Sequence, residues 1–150
     1  MAVQAEELNK NLNDIGIKVT CEEEKLIVRG KIDLTEVELR CELPKAFPYV
    51  FPKIFLSKKT EQELSVLPHI NNDLSLCLFD DTTDIPNFKN PIRLIEASIR
   101  KAHLVLTQGI HKENEKDFFD EFNAYWAKDA NMTFFSDIEF GDKMLHLKFY

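Results

Sequence analysis

A chain of 150 residues with 44% apolar side chains and twelve Phe is long enough for one globular domain with an aromatic-rich core, and is too apolar to be disordered. Its net charge of −7 argues against binding a phosphate backbone, which needs Lys and Arg to displace counterions, and against adhesion to anionic membranes. No apolar run is long enough to cross a bilayer, and Met1 to Lys10 is polar and acidic, unlike a signal peptide, so the cytoplasm is the default compartment.

Three widely spaced cysteines, Cys21, Cys41 and Cys77, argue against a disulfide framework, and without a C-x-x-C pair no structural zinc is expected. The four glycines, Gly16, Gly30, Gly109 and Gly141, are too scattered for a glycine-rich phosphate loop. No metal and no cofactor is therefore expected.

In chain order, Ala5, Leu8, Leu12 and Ile15 recur at helical spacing, and Gly16 is a natural stop. Three β-prone runs follow, Ile17 to Cys21, Lys25 to Ile32 and Thr35 to Leu43. In the third, Val37, Leu39 and Cys41 alternate with Glu38, Arg40 and Glu42, the pattern of a strand with one buried face. Cys21 and Cys41 fall in these strand patterns and are assigned to packing. An antiparallel meander is the simplest arrangement.

Four of the six prolines, Pro44, Pro48, Pro52 and Pro68, then fall in one stretch, which rules out an ordinary central strand throughout. Lys53 to Ser57 predicts one further strand between the turns. Glu61 to Asp84 reads as a long, mostly irregular segment, and such loops inside compact domains are usually functional. Asn90 and Pro91 predict the N-cap and first position of a helix. Ile92, Ile95, Ile99, Ala102 and Val105 form its apolar stripe, with Arg93, Glu96, Arg100 and Lys101 elsewhere and Gly109 closing it. A third helix is predicted over Glu113 to Ala127, carrying Phe118, Phe119, Phe122, Tyr125 and Trp126. Two β-prone pieces, Met132 to Phe135 and Met144 to Tyr150, end the chain, the last running straight into the terminus as in a segment cut from a longer protein.

Helix, strand meander, proline-rich turn, cysteine loop and crossover helix, in that order, resemble the ubiquitin-conjugating (UBC) family. Leu43 to Ile54, read as L-P-K-A-F-P-Y-V-F-P-K-I, resembles that family's aromatic-Pro-aromatic-x-x-Pro-Lys-aliphatic signature. Cys77-Leu78 resembles its Cys-Leu element, and Asn90-Pro91 the start of its crossover helix. The resemblance covers Met1 to Gln108. It implies an α+β fold, an α/β sandwich in which an antiparallel four-stranded meander packs against helices, with residues 1–150 as a single UBC-like domain.

Two departures stand out. The family's His-Pro-Asn is replaced by Pro68-His69-Ile70-Asn71-Asn72, with His69 at the family's Asn position. The stretch from Cys77 to Asn90 is longer and more acidic than usual, with Asp80, Asp81 and Asp84. Both features, and Phe122, Tyr125 and Trp126, look like the divergent bacterial members found in antiphage operons, including the CBASS type.

The resemblance implies that Cys77 carries a protein's C-terminus as a thioester and passes it to an amine. The partners implied are an adenylating activating enzyme, since the chain has no nucleotide loop, and either a ubiquitin-like protein or a nucleotidyltransferase C-terminus as cargo. The oxyanion formed in transfer needs a donor nearby, and His69, Asn71 and Asn72 are the candidates. Asp80, Asp81 or Asp84 would orient the incoming amine or help take its proton. The competing reading is a non-catalytic binding module of the same fold, as in RWD and cysteine-less UBC variants; Cys77-Leu78 after His69 favours the enzyme. A cysteine hydrolase would need a His base poised to activate the thiol; His69 is a possible base, but the sequence shows no clear third member of a triad.

Overall fold

The structure, a computed structural model, describes residues 2–64, 67–80 and 83–113. The predicted aromatic helix from Phe118 to Trp126, the two β-prone pieces of the tail, and Asp81 lie outside the described residues.

Helix α1 (Ala2–Leu12) passes through one turn of 3-10 helix (Asn13–Ile15) into Gly16, whose φ of 67° is the left-handed cap that an L side chain rarely adopts. Four strands follow, β1 (Lys18–Glu22), β2 (Lys25–Ile32), β3 (Thr35–Glu42) and β4 (Lys53–Leu56). They form one antiparallel sheet in the order β1-β2-β3-β4, the expected meander. The short helix α2 (Lys58–Glu63) and the long helix α3 (Pro91–Ile110) complete the described elements, an α+β architecture consistent with a UBC-like fold.

Strand alternation sorts the sheet into two faces. Leu26 registers with Cys41 and Val28 with Leu39, and all four are buried beneath the helices, with Ile54 and Leu56 of β4. The opposite face carries ion pairs between neighbouring strands, such as Arg29 with Glu38 and Glu22, and Lys25 with Glu42. These pairs are solvated and add little stability individually. The core comes from burying one face of each element: Leu8 and Leu12 of α1 and Ile95, Ile99, Ala102 and Leu106 of α3 are fully buried. Each of the larger side chains contributes roughly 1.5–3 kcal/mol.

Several expectations are corrected in detail. Cys21 registers with Leu26, on the inner face, yet it is exposed, because β1 is the edge strand and the helices leave this end of it uncovered. Cys41 is fully buried as expected, and burial, with a smaller push from Glu42, raises its thiol pKa to about 12. Gly109 does not close α3, which runs on to Ile110. A Cβ on Gly109 would stand 3.1 Å from Leu67 Cδ2, so glycine there permits close packing rather than a turn. The apolar stripe is centred on Leu94, Ile95, Ile99, Ala102 and Leu106, with Ile92 and Val105 at its margins.

Glu96, expected on the polar side, is buried. Its carboxylate is met by Arg93 at 3.2 Å, Arg100 at 3.1 Å and the Asn11 side chain at 3.1 Å. Arg100 also donates to the Asn11 carbonyl and pairs with Asp14, so the cluster bolts α1 to α3. A buried carboxylate is tolerated only with such partners. Within Glu61 to Asp84 the described residues hold only the end of α2 and two isolated bridges, as a mostly irregular segment should, and α2 itself is the element not anticipated. Ser57 caps α2 by accepting the Thr60 amide, and the buried Thr60 hydroxyl accepts the Glu38 amide at 2.9 Å.

His103 of α3 faces Val28, Val37 and Leu39 around a small cavity beneath the sheet. Its Nε2 is buried with no hydrogen-bond partner among the described residues. Burial holds the imidazole pKa below its ordinary 6.5, against a smaller opposing effect of a hydrogen bond to the Lys31 backbone. Above that ordinary value the ring is neutral folded or unfolded and has no effect on pH dependence. Below it the unfolded chain takes up the proton more readily, so stability falls as the pH falls. His103→Leu should flatten this slope. Urea midpoints at neutral pH and about one unit below the ordinary histidine value check it; equal slopes in both proteins would show that His103 plays no part.

Candidate active site

Residues 69–77 form a tight hairpin laid along the free edge of β4. Leu56 N–H donates to the Leu74 carbonyl and Leu76 N–H to the Ile54 carbonyl, each at 2.8 Å, and Phe55 bridges Ser75. Within the hairpin, Ile70 pairs with Leu76, Cys77 N–H donates to the His69 carbonyl at 2.8 Å, and Asn71 N–H donates to the Ser75 carbonyl at 2.9 Å. Leu74, at φ 66°, makes the reversal in a left-handed conformation. Leu76 is buried and Ile70 packs against the core, so alternation turns Asn71, Ser75 and Cys77 to the outer side. Cys77 is exposed, whereas Leu78 after it is buried.

Cys77 lines an open groove of about 590 Å³ between this hairpin and the proline-rich turn. Pro44, Tyr49 and Phe51 form one side, and Phe79, Asp84 and Pro86 continue it past the cysteine. Phe51 stacks on Phe79 with centroids 3.8 Å apart and planes 8° from parallel; Tyr49 packs on Phe88 at 5.4 Å. The aromatics of the proline signature thus wall the groove as well as packing the turn.

The structure separates the residues nominated from sequence. Asn71 lines the groove with Cys77. Its Nδ2 donates to Ser75 Oγ at 3.0 Å, and Ser75 donates its hydroxyl to Asp73 Oδ1 at 2.6 Å. Ser75 has one proton and gives it to Asp73, so the Asn71 atom facing it must be the NH2 group. That group has a second hydrogen. Asp73 Oδ1 also accepts the Ser75 amide, and these two bonds, the hydroxyl's first, hold its carboxyl below the usual range.

His69 meets Cys77 through its backbone; its φ of 64° takes it out of regular strand alternation, and it does not line the groove. Asn72 sits at the exposed tip of the turn, also away from the groove. Of the aspartates, Asp84 lines the groove and its Oδ2 accepts the Asp80 amide at 3.0 Å. The Asp80 carbonyl accepts the amides of Thr83 and Asp84 at 3.1 and 2.8 Å, which closes the loop after Phe79. Cys77, Asn71 and Asp84 are therefore brought to one groove, and His69, Asn72 and Asp80 are not side chains of its lining.

Ser75 and Asp73 were missed in sequence. An Asp two residues before a Ser, just after Asn-Asn, is a side-chain-to-backbone turn signal that could have flagged them.

The family model described as prokaryotic E2 family B matches residues 9–135. The chain belongs to prokaryotic E2 family B. Neither a curated protein nor a solved structure matches it. Membership in prokaryotic E2 family B gives the protein a ubiquitin-conjugating-like role, in which an activating enzyme and a ubiquitin-like protein are the implied partners. Among the described residues no helix is long and apolar enough to cross a membrane.

Proposed function

We propose that this prokaryotic E2 family B protein carries a partner's C-terminal carbonyl as a thioester on Cys77 and delivers it to an amine. The observation that carries the reading is Cys77 itself, an exposed thiol in a groove built by the proline signature and the 69–77 hairpin. In loading, the Cys77 thiolate attacks the thioester brought by the activating enzyme, a new C–S bond forms, and the activating enzyme's thiol leaves. In transfer, an amine attacks the same carbonyl, the C–N bond forms, the amine gives up a proton, and the Cys77 thiolate leaves.

Asn71 supplies the donor for the oxyanion, since its amide is held by Ser75 with one hydrogen to spare. Asp84 orients the amine or helps take its proton. The setting we propose is bacterial antiphage defence of the CBASS type, with a nucleotidyltransferase C-terminus as cargo. Supporting it are the family, the broken His-Pro-Asn element and the acidic loop.

Reconstitution tests the reading. The protein is incubated with ATP, a cognate adenylating enzyme, and either a nucleotidyltransferase or a ubiquitin-like protein. An ATP-dependent gain in mass equal to one cargo minus water is expected. A gain with the ubiquitin-like protein alone would replace the CBASS setting by a dedicated modifier pathway, and no gain with either would favour the binding-module reading.

A further inference from the structure

We infer that Lys101 of α3 is a positioning residue for the Cys77 groove, acting through Phe79 and Asp84 on the step that passes the acyl group to an amine. The inference rests on the acyl-carrier reading of Cys77 above. Lys101 Nζ lies 4.5 Å from the centroid of the Phe79 ring and 3.9 Å from Asp84 Oδ2. An aromatic ring has two faces, and Phe51 covers one of those of Phe79 at 3.8 Å. The ammonium therefore stands on the other, giving a stack in the order Phe51, Phe79, Lys101. Phe51, Phe79 and Asp84 line the groove with Cys77, and Lys101 does not, so the lysine supports the wall from behind.

Neither contact is strong alone. The ion pair is half-exposed on both sides and screened by water, and an exposed cation over a ring adds little more. What distinguishes Lys101 is that one charge reaches two groove residues at once. Phe79 is two residues beyond the thiol, so its placement sets the course of the chain leaving Cys77. Asp84 Oδ2 is held by both Lys101 and the Asp80 amide, so an incoming amine meets Oδ1. The crossover helix thereby fixes both the acyl side and the amine side of the groove, and geometry at the reacting atoms is where small displacements cost most.

The test uses the Cys21→Ser protein, because Cys21 is a second exposed thiol. A fluorescent peptide ending in glycine, supplied as its 2-mercaptoethanesulfonate thioester, loads Cys77, and free lysine is the acceptor. Lys101→Met keeps the apolar reach and removes the charge. It should load at the parental rate and transfer about tenfold more slowly, the scale of a sub-ångström misplacement. Lys101→Arg should return transfer to within about twofold of the parent, since guanidinium serves both contacts. Lys101→Met combined with Asp84→Asn should be no slower than the slower single variant, because the two act as one unit. Parental transfer in Lys101→Met, no rescue by Arg, or equal losses of loading and transfer would each overturn the inference. Absence of label on Cys77 in the parent itself would instead overturn the acyl-carrier reading beneath it.

Discussion

Asn71→Ala should slow transfer from the loaded protein to an amine by roughly ten-squared to ten-cubed, the usual cost of removing one oxyanion donor, while leaving loading of Cys77 much less affected. The reasoning starts from the hydrogen bonds of the hairpin. Asp73 takes the Ser75 proton, Ser75 therefore accepts from Asn71, and the Asn71 amide is fixed with one N–H unspent, in the same groove as Cys77. A donor aimed before the reaction need not reorganise during it. Ser75→Ala should give a smaller loss in the same direction, because Asn71 keeps its amide but loses its holder. Single-turnover transfer rates separate these cases. His69→Ala or Asn72→Ala matching Asn71→Ala in size would move the donor role to that residue.

Cys77→Ala should abolish acyl carriage while leaving the fold intact, because the side chain is exposed. Cys41→Ala should do the reverse. Its thiol is fully buried in the sheet and, with its pKa pushed up to about 12, stays protonated at neutral pH. Truncating it leaves a void costing on the order of 1 kcal/mol or more, with carriage retained. Cys21→Ala should change neither, being exposed at the sheet edge. Thermal melts and loading assays on the three variants check the set. Loss of loading in Cys41→Ala or Cys21→Ala at unchanged stability would count against the assignment of Cys77.

Sequence periodicity located the sheet closely because its two faces see different solvents. The alternation of Val37, Leu39 and Cys41 with charged neighbours maps directly onto the buried and ion-paired faces of β3. It could not tell how far each strand is covered, and for that reason Cys21 shows the inner-face register without the burial. Gly109 illustrates a different limit. A glycine near a predicted helix end signals a stop locally, and only the tertiary approach of Leu67 reveals that it serves packing. Glu96 is similar, since its burial depends on Arg100 and on Asn11 from a distant helix.

At the candidate site, the Cys-Leu pair and the proline signature were legible as motifs. Which of His69, Asn71 and Asn72 lines the groove was not, because that depends on which residues a hairpin turns outward and which it takes into the reversal. Lys101 was invisible as part of the site for the same reason. Its helix arrives from the other side of the wall, with no local pattern to link it to Phe79.

The most direct test of the account is a comparison of the reconstituted adduct on the wild-type protein and on Cys77→Ser, with and without thiol reductant. Intact mass should show cargo on both. Added thiol should strip it from the wild type, because a thioester exchanges with free thiol, and should leave it on Cys77→Ser, where the link is an oxyester. An adduct on the wild type that survives reductant, or one in Cys77→Ser that is still lost to it and maps to Cys21, would contradict the claim that Cys77 carries the acyl group.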